Sequence, residues 1–124
     1  PLSNDRNVRT VMRKHGCTRY MAAMTQNPPI KDMERLRFNH LAHPKRNENC
    51  EDVHVFSYHG ISYHPFSRVN KLFVKGIYES HDLMNEYYHL TGSCVAGPQL
   101  TNYFTEPCGH CFWCHEKRWA FGKC

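Results

Sequence analysis

Apolar positions along the chain alternate between a spacing of about 3.6 residues and runs suited to strands, and the switches between the two mark the elements. After Asn4 and Asp5, side chains suited to capping a helix, Val8, Val11 and Met12 fall on one helical face. Gly16 closes the segment, so residues 4 to 15 predict a short amphipathic helix. Thr18 to Thr25, TRYMAAMT, is a compact apolar run halted by Asn27-Pro28-Pro29. It predicts a buried strand ending at a loop, with a helix through Met21-Ala22-Ala23-Met24 as the alternative. Helical spacing returns with Ile30, Met33, Leu36 and Leu41, interleaved with Lys31, Glu34, Arg35 and Arg37 on a face that solvent, or a phosphate, would meet. Ala42 to Asp52 is polar and proline-punctuated, and predicts a surface loop.

Val53, Val55, Phe56 and Tyr58 predict a second strand, interrupted at His59-Gly60, resumed at Ile61-Ser62-Tyr63 and closed by Pro65. A helix then spans about Ser67 to Glu79 with Val69, Leu72, Phe73 and Ile77 on its buried side. Ser80 can cap another whose apolar stripe is Leu83, Met84, Tyr87 and Tyr88. The segment HEKRWAFG after Cys114 predicts a final helix that packs Trp119 and Phe121 beside the cysteines. This order is that of an α/β chain with a parallel sheet. Such sheets are covered on both faces and usually hold more strands, so the pattern resembles the later part of a larger α/β domain. Residues 1 to 90 form a partial α/β region and residues 91 to 124 a cysteine knuckle with its terminal helix, within one domain of 124 residues.

The most specific chemistry lies in that last region. Cys94, Cys108, Cys111 and Cys114 read C-x13-C-x2-C-x2-C, and thiolates flanking a two-residue gap can face one tetrahedral ion. Gly109 suits the tight turn between ligands. Zn²⁺ on four thiolates is the expected occupant. Free buried thiols, disulfides and an iron–sulfur cluster are the alternatives. His110 and His115 are replacement ligands or bystanders, while Cys17, Cys50 and Cys124 have no partner spacing.

Composition narrows the setting. Seven cysteines would suit a secreted scaffold, but their odd number, the metal spacing and the missing signal-peptide pattern favour a reducing, cytoplasmic compartment. No apolar run approaches a membrane span. Sixteen Lys and Arg against eleven Asp and Glu give a net charge of +5, a mild preference for polyanions. Ten histidines are many for this length, yet those outside the knuckle form no metal-like cluster.

The succession HPFSRVNKLFV, HLTGSC and PCGHCFWCHEKRWAF resembles the C-terminal half of PP-loop ATP pyrophosphatases of the 7-cyano-7-deazaguanine synthase type, an adenine nucleotide alpha hydrolase-like fold. The matching positions are Pro65, Lys71, Thr91, Ser93, Cys94, Cys108, Cys111, Cys114, Lys117 or Arg118, Ala120 and Phe121. The resemblance implies an ATP-dependent ligase of queuosine biosynthesis. It adenylates the carboxylate of 7-carboxy-7-deazaguanine, releases pyrophosphate and AMP, and carries the activated group through an amide to a nitrile with ammonia. It further implies a structural zinc on the four cysteines and Lys71 as a candidate phosphate or pocket contact.

The family's nucleotide loop, Ser-Gly-Gly-x-Asp-Ser, occurs nowhere in the sequence, and its backbone N–H groups are what cradle a phosphate. Phe73 stands where the family commonly carries an acid, and the gap between Cys94 and Cys108 is longer than usual. The expectation is therefore a zinc-bearing portion that cannot complete ATP chemistry alone. ATP would enter only with a segment or polypeptide carrying that loop. A second reading is a non-catalytic, zinc-stabilised interaction module in a larger assembly. A third is a nucleic-acid-binding zinc module, suggested by Phe112, Trp113 and Trp119 near Lys117 and Arg118. No nucleophile or acid–base pair can be assigned.

Overall fold

The computed structural model describes residues 4–42, 46, 53–56 and 60–124. The first helix, α1 (Asn4–Lys14), ends as its sequence requires. Gly16 takes φ +64°, Cys17 N–H reaches back to the Met12 carbonyl at 2.9 Å, and Arg13 and Lys14 place positive charge at the C-terminal end of the helix dipole. Met12 on this helix is buried.

Three strands form one sheet in the order β1 (Arg19–Met21), β3 (Gly60–Tyr63), β2 (Val53–Phe56). Strand β1 runs parallel to β3 with Tyr20 opposite Ser62, whereas β2 is antiparallel to it with Val55 opposite Ile61. The sheet is thus mixed rather than parallel. The stretch expected to be one interrupted strand is two separate strands paired antiparallel, the second opening at Gly60. Tyr58 and His59 lie outside the described residues, as does most of the loop expected at 42–52. Nor is the run at 18–25 a buried strand. β1 is an outer strand of a small sheet, and Met21 and Met24 stay 70% and 41% exposed because no layer of the described chain covers them.

Beyond β1 the chain stays beside the β3 side of the fold, Gln26 N–H bonding the Val69 carbonyl at 2.8 Å, before Pro29 opens α2 (Ile30–Arg35). This helix is shorter than its apolar spacing suggests. Arg37 adopts φ +59°, and Phe38 N–H returns to the Met33 carbonyl at 2.9 Å. The turn throws Phe38 inward to complete burial, leaving Ile30 at 66% exposure and Leu36 and Leu41 partly exposed. Met33, Phe38 and Phe112 form the central apolar cluster, with Ala42, Trp113 and Trp119 packed on it.

Helix α3 (Lys71–Ser80) starts four residues later than expected from Ser67, at a true cap: Asn70 Oδ1 accepts from Leu72 N–H at 3.0 Å. Leu72 and Phe73, expected on its buried side, are exposed, since α3 turns its opposite flank toward the C-terminal helix. Ser80 does not cap the next helix. Its hydroxyl donates back to the Ile77 carbonyl at 3.0 Å within α3, and the short α4 (Leu83–Glu86) follows Asp82 at φ +55°. Of the expected stripe Tyr88 is buried and Tyr87 half exposed. The final helix, α5 (Phe112–Phe121), begins before Cys114 and ends at Gly122, φ +78°. It packs against α3, and Phe121 meets Tyr88 and Tyr78 at ring centroid distances of 4.9 and 5.8 Å.

Candidate metal centre

Cys94 sits on the extended segment after the turn Tyr88–Leu90, Cys108 and Cys111 on the loop that enters α5, and Cys114 in its first turn. The four Sγ atoms lie within 4.8 Å of one another, with Cys111 and Cys114 at 3.5 Å and Cys108 and Cys114 at 3.9 Å. Sulfurs at tetrahedral corners about 2.3 Å from an ion stand about 3.8 Å apart, so the set could hold a metal ion. Gly109, at φ +76°, makes the turn that lets the two-residue gap fold back on itself. Backbone donors point at the sulfurs: Cys108 N–H to Cys94 Sγ and Cys111 N–H to Cys108 Sγ, both 3.4 Å.

Those donors have an electrostatic effect. The N–H groups of His110 and Cys111 pull the Cys108 thiol down to about 6, whereas burial pushes that of Cys114 upward. A fully ionised set would crowd four negative charges at the foot of a helix with Cys114 wholly buried, an arrangement that a cation offsets. Each described cysteine is free of disulfide bonding. His110 and His115 stand outside the cluster, His115 stacking on Phe38 at 5.4 Å and 9° between planes. Burial, then the charges of Arg118, His110 and His40, hold its imidazole below the ordinary value. Of the scattered thiols, Cys17 is exposed, Cys50 is outside the described residues, and Cys124 comes close, its Sγ 3.6 Å from the Cys114 carbonyl.

Behind the cysteines, α5 carries two buried charges that sequence patterning did not single out as a pair. Glu116 is fully enclosed, Oε1 accepting from Arg46 at 2.7 Å and Oε2 facing Lys71 Nζ at 2.9 Å. Arg46 also donates to the Thr25 carbonyl at 2.8 Å, to Thr25 Oγ1 at 2.7 Å and to the Gln26 carbonyl at 3.1 Å, and lies over the Trp113 ring at 4.8 Å. Lys71 is therefore placed in an ion pair against Trp113, with its side chain 15% exposed. The second buried charge, Lys117, donates to the Thr91 carbonyl at 2.5 Å and lies over Tyr88 at 4.6 Å, while the Tyr88 hydroxyl donates to the Lys123 carbonyl at 2.7 Å. Burial lowers the lysine and raises the phenol.

A cavity of about 470 Å³ opens beside these groups, walled by Thr91, Ser93, Cys94, Phe104, Glu106 and Lys117. Lys71 does not line it. The resemblance had marked Thr91, Ser93 and the position of Lys117 or Arg118, and of the last two it is Lys117 that reaches the cavity. No family model, curated protein or solved structure matches the chain. No described helix is long and apolar enough to cross a membrane.

Proposed function

We propose that Cys94, Cys108, Cys111 and Cys114 hold one structural Zn²⁺, and that this chain is the C-terminal, zinc-bearing portion of a PP-loop ATP-dependent synthase similar to 7-cyano-7-deazaguanine synthase. The carrying observation is the convergence of the four thiols, from two separate segments, at the edge of a cavity that Thr91, Ser93 and Lys117 help to line. Zinc closes the segment from Thr91 to Cys108 onto α5 and so fixes one wall of that cavity. Thr91, Ser93 and the Lys117 ammonium then present polar contacts to a heteroaromatic carboxylic acid, with Phe104 as an apolar side. Phosphate handling belongs to a glycine-rich loop on another segment or polypeptide, since this sequence has none. A reducing, cytoplasmic compartment suits four ligating thiolates.

A second reading, a non-catalytic zinc-stabilised interaction module, draws on the residues near the knuckle. Val95, Leu100, Tyr103 and Phe104 are each at least 70% exposed, apolar surface of the kind that partner proteins cover.

Native mass spectrometry of the protein from its natural source, followed by a pyrophosphate-release assay with ATP and 7-carboxy-7-deazaguanine, separates the two. One bound zinc together with the missing glycine-rich loop, on the same chain or a bound one, and substrate-dependent pyrophosphate release is the expected result. Zinc without that loop and without turnover would leave only the interaction module. Absence of metal at any stage would remove the premise of both.

A further inference from the structure

A groove of about 380 Å³ runs between the C-terminal end of α2 and the face of α5 bearing His115, Arg118 and Trp119. These three residues follow i, i+3, i+4 spacing and so share one side of the helix, away from the side on which Lys117 reaches the cavity beside Cys94. Phe38 forms the floor, fully buried and stacked on His115. The indole of Trp119 is fixed by its Nε1–H donating to Asp32 Oδ2 at 3.1 Å. Arg35, its side chain 67% exposed, forms the opposite wall, and Arg118 is exposed at the rim. Asp32 is the acid facing this wall, and it is divided between the indole and Arg35, whose guanidinium stands 3.5 Å from its other oxygen.

We propose that this groove binds single-stranded nucleic acid, one base lying against His115 and Trp119 and the flanking phosphates meeting Arg35 and Arg118. Two guanidiniums across an aromatic floor match the alternation of anionic backbone and flat base along a strand, and arginine suits bidentate contact with phosphate. The net charge of +5 extends the same field beyond the groove. A duplex is a poorer fit, because its bases are already stacked on one another and cannot reach a recessed aromatic floor. The site lies on a different face of α5 from the cavity and stands or falls independently of the synthase reading.

The test uses the zinc-loaded chain and fluorescently labelled single strands of about ten nucleotides, DNA and RNA, read by anisotropy. Binding of either strand that weakens between about 50 and 200 mM salt is expected, as is loss of about tenfold in affinity in Arg118→Glu and in Arg35→Glu. In the double variant Arg35→Ala with Arg118→Ala, the slope of log K against log salt should become shallower by about 1.4, the loss of two phosphate contacts on a single strand. Arg13→Glu, an exposed site on α1 outside the groove, makes the same change in net charge and should leave affinity within about twofold. Zinc content and circular dichroism confirm that the variants are folded, with Arg118→Gln substituting if Arg118→Glu is not. Four results overturn the proposal: no binding at low salt, equal weakening by Arg13→Glu, equal affinity for duplex, or AMP binding as tightly as the oligonucleotide.

Discussion

Arg46 Nη2 donates to Glu116 Oε1 at 2.7 Å across 70 residues of sequence, with both side chains at or below 5% exposure. This contact ties a residue from the polar middle of the chain to the helix that carries the last cysteine. Around it, Lys71 supplies a second cation and Trp113 an aromatic face, so that one carboxylate draws together α3, α5 and the segment at Thr25. Buried charge of this kind fixes an arrangement more than it adds net stability.

Replacing Glu116 by Gln leaves two cations facing a neutral amide inside the fold. The expected cost is about 3–5 kcal/mol, as for other broken buried pairs, measured by urea unfolding of the zinc-loaded protein. Lys71→Met should cost less, because Arg46 still neutralises the carboxylate and the lysine is the more exposed of the two cations. A Glu116→Gln variant as stable as the parent would show that this network does not organise the fold.

Zinc is expected to support the segment from Thr91 onward. Cys111→Ser removes one of four ligands and should release the metal, lowering stability by about 2 kcal/mol or more and the melting temperature by on the order of 10 °C. His115→Ala should retain a full equivalent of zinc, because the imidazole stacks on Phe38 and stands outside the cluster. Metal analysis and thermal melts of both variants decide the ligand set, and loss of zinc from His115→Ala would overturn it.

Tyr88 offers a test by pH. Burial raises its phenol above the ordinary 10.0, so the neutral form is favoured in the folded state. Its contribution is complete below pH 10.0 and is lost as the pH rises through the higher folded value, because the unfolded chain ionises first. Tyr88→Phe should therefore cost about 1 kcal/mol near neutrality, the hydrogen bond to the Lys123 carbonyl being lost. That difference should shrink above pH 10. Lys117 has the opposite sign: its value is lowered by burial, so the stability it gains on becoming neutral is complete above 10.5 and is lost as the pH falls through the folded value. A Tyr88→Phe penalty that grew with pH would contradict this account.

The cysteine ladder and α1 were legible because each depends on local spacing: a two-residue gap with a glycine, and an apolar helical face ended by Gly16. The convergence of the four thiols follows from that spacing. Glu116 and Arg46 were not legible, since a charge in mid-helix or in a polar loop reads as solvated until tertiary structure supplies its partner. The same applies to Phe38. Its burial depends on the left-handed turn at Arg37, which neither a glycine nor an asparagine announces. Leu72 and Phe73 failed in the other direction, because helical periodicity identifies an apolar face without saying whether the described chain contains anything to cover it.

Gly109 gives the most local test of the centre. Its φ of +76° is a conformation that side chains rarely adopt, yet a methyl group there would meet Arg118 Nη2 at 3.6 Å, an ordinary contact. Steric crowding is thus absent, and the penalty of Gly109→Ala should come from the backbone alone, about 1–2 kcal/mol. Because the turn brings the Cys111 N–H to Cys108 Sγ, the strain should appear as weaker zinc binding, on the order of tenfold in competition with a chromophoric chelator. Gly76→Ala is the control. It sits within α3 with open space around it and should be neutral or slightly stabilising, since alanine favours a helix interior by about 0.5–1 kcal/mol over glycine. If Gly109→Ala bound zinc as tightly as the parent, the cysteines would not depend on the left-handed turn for their convergence.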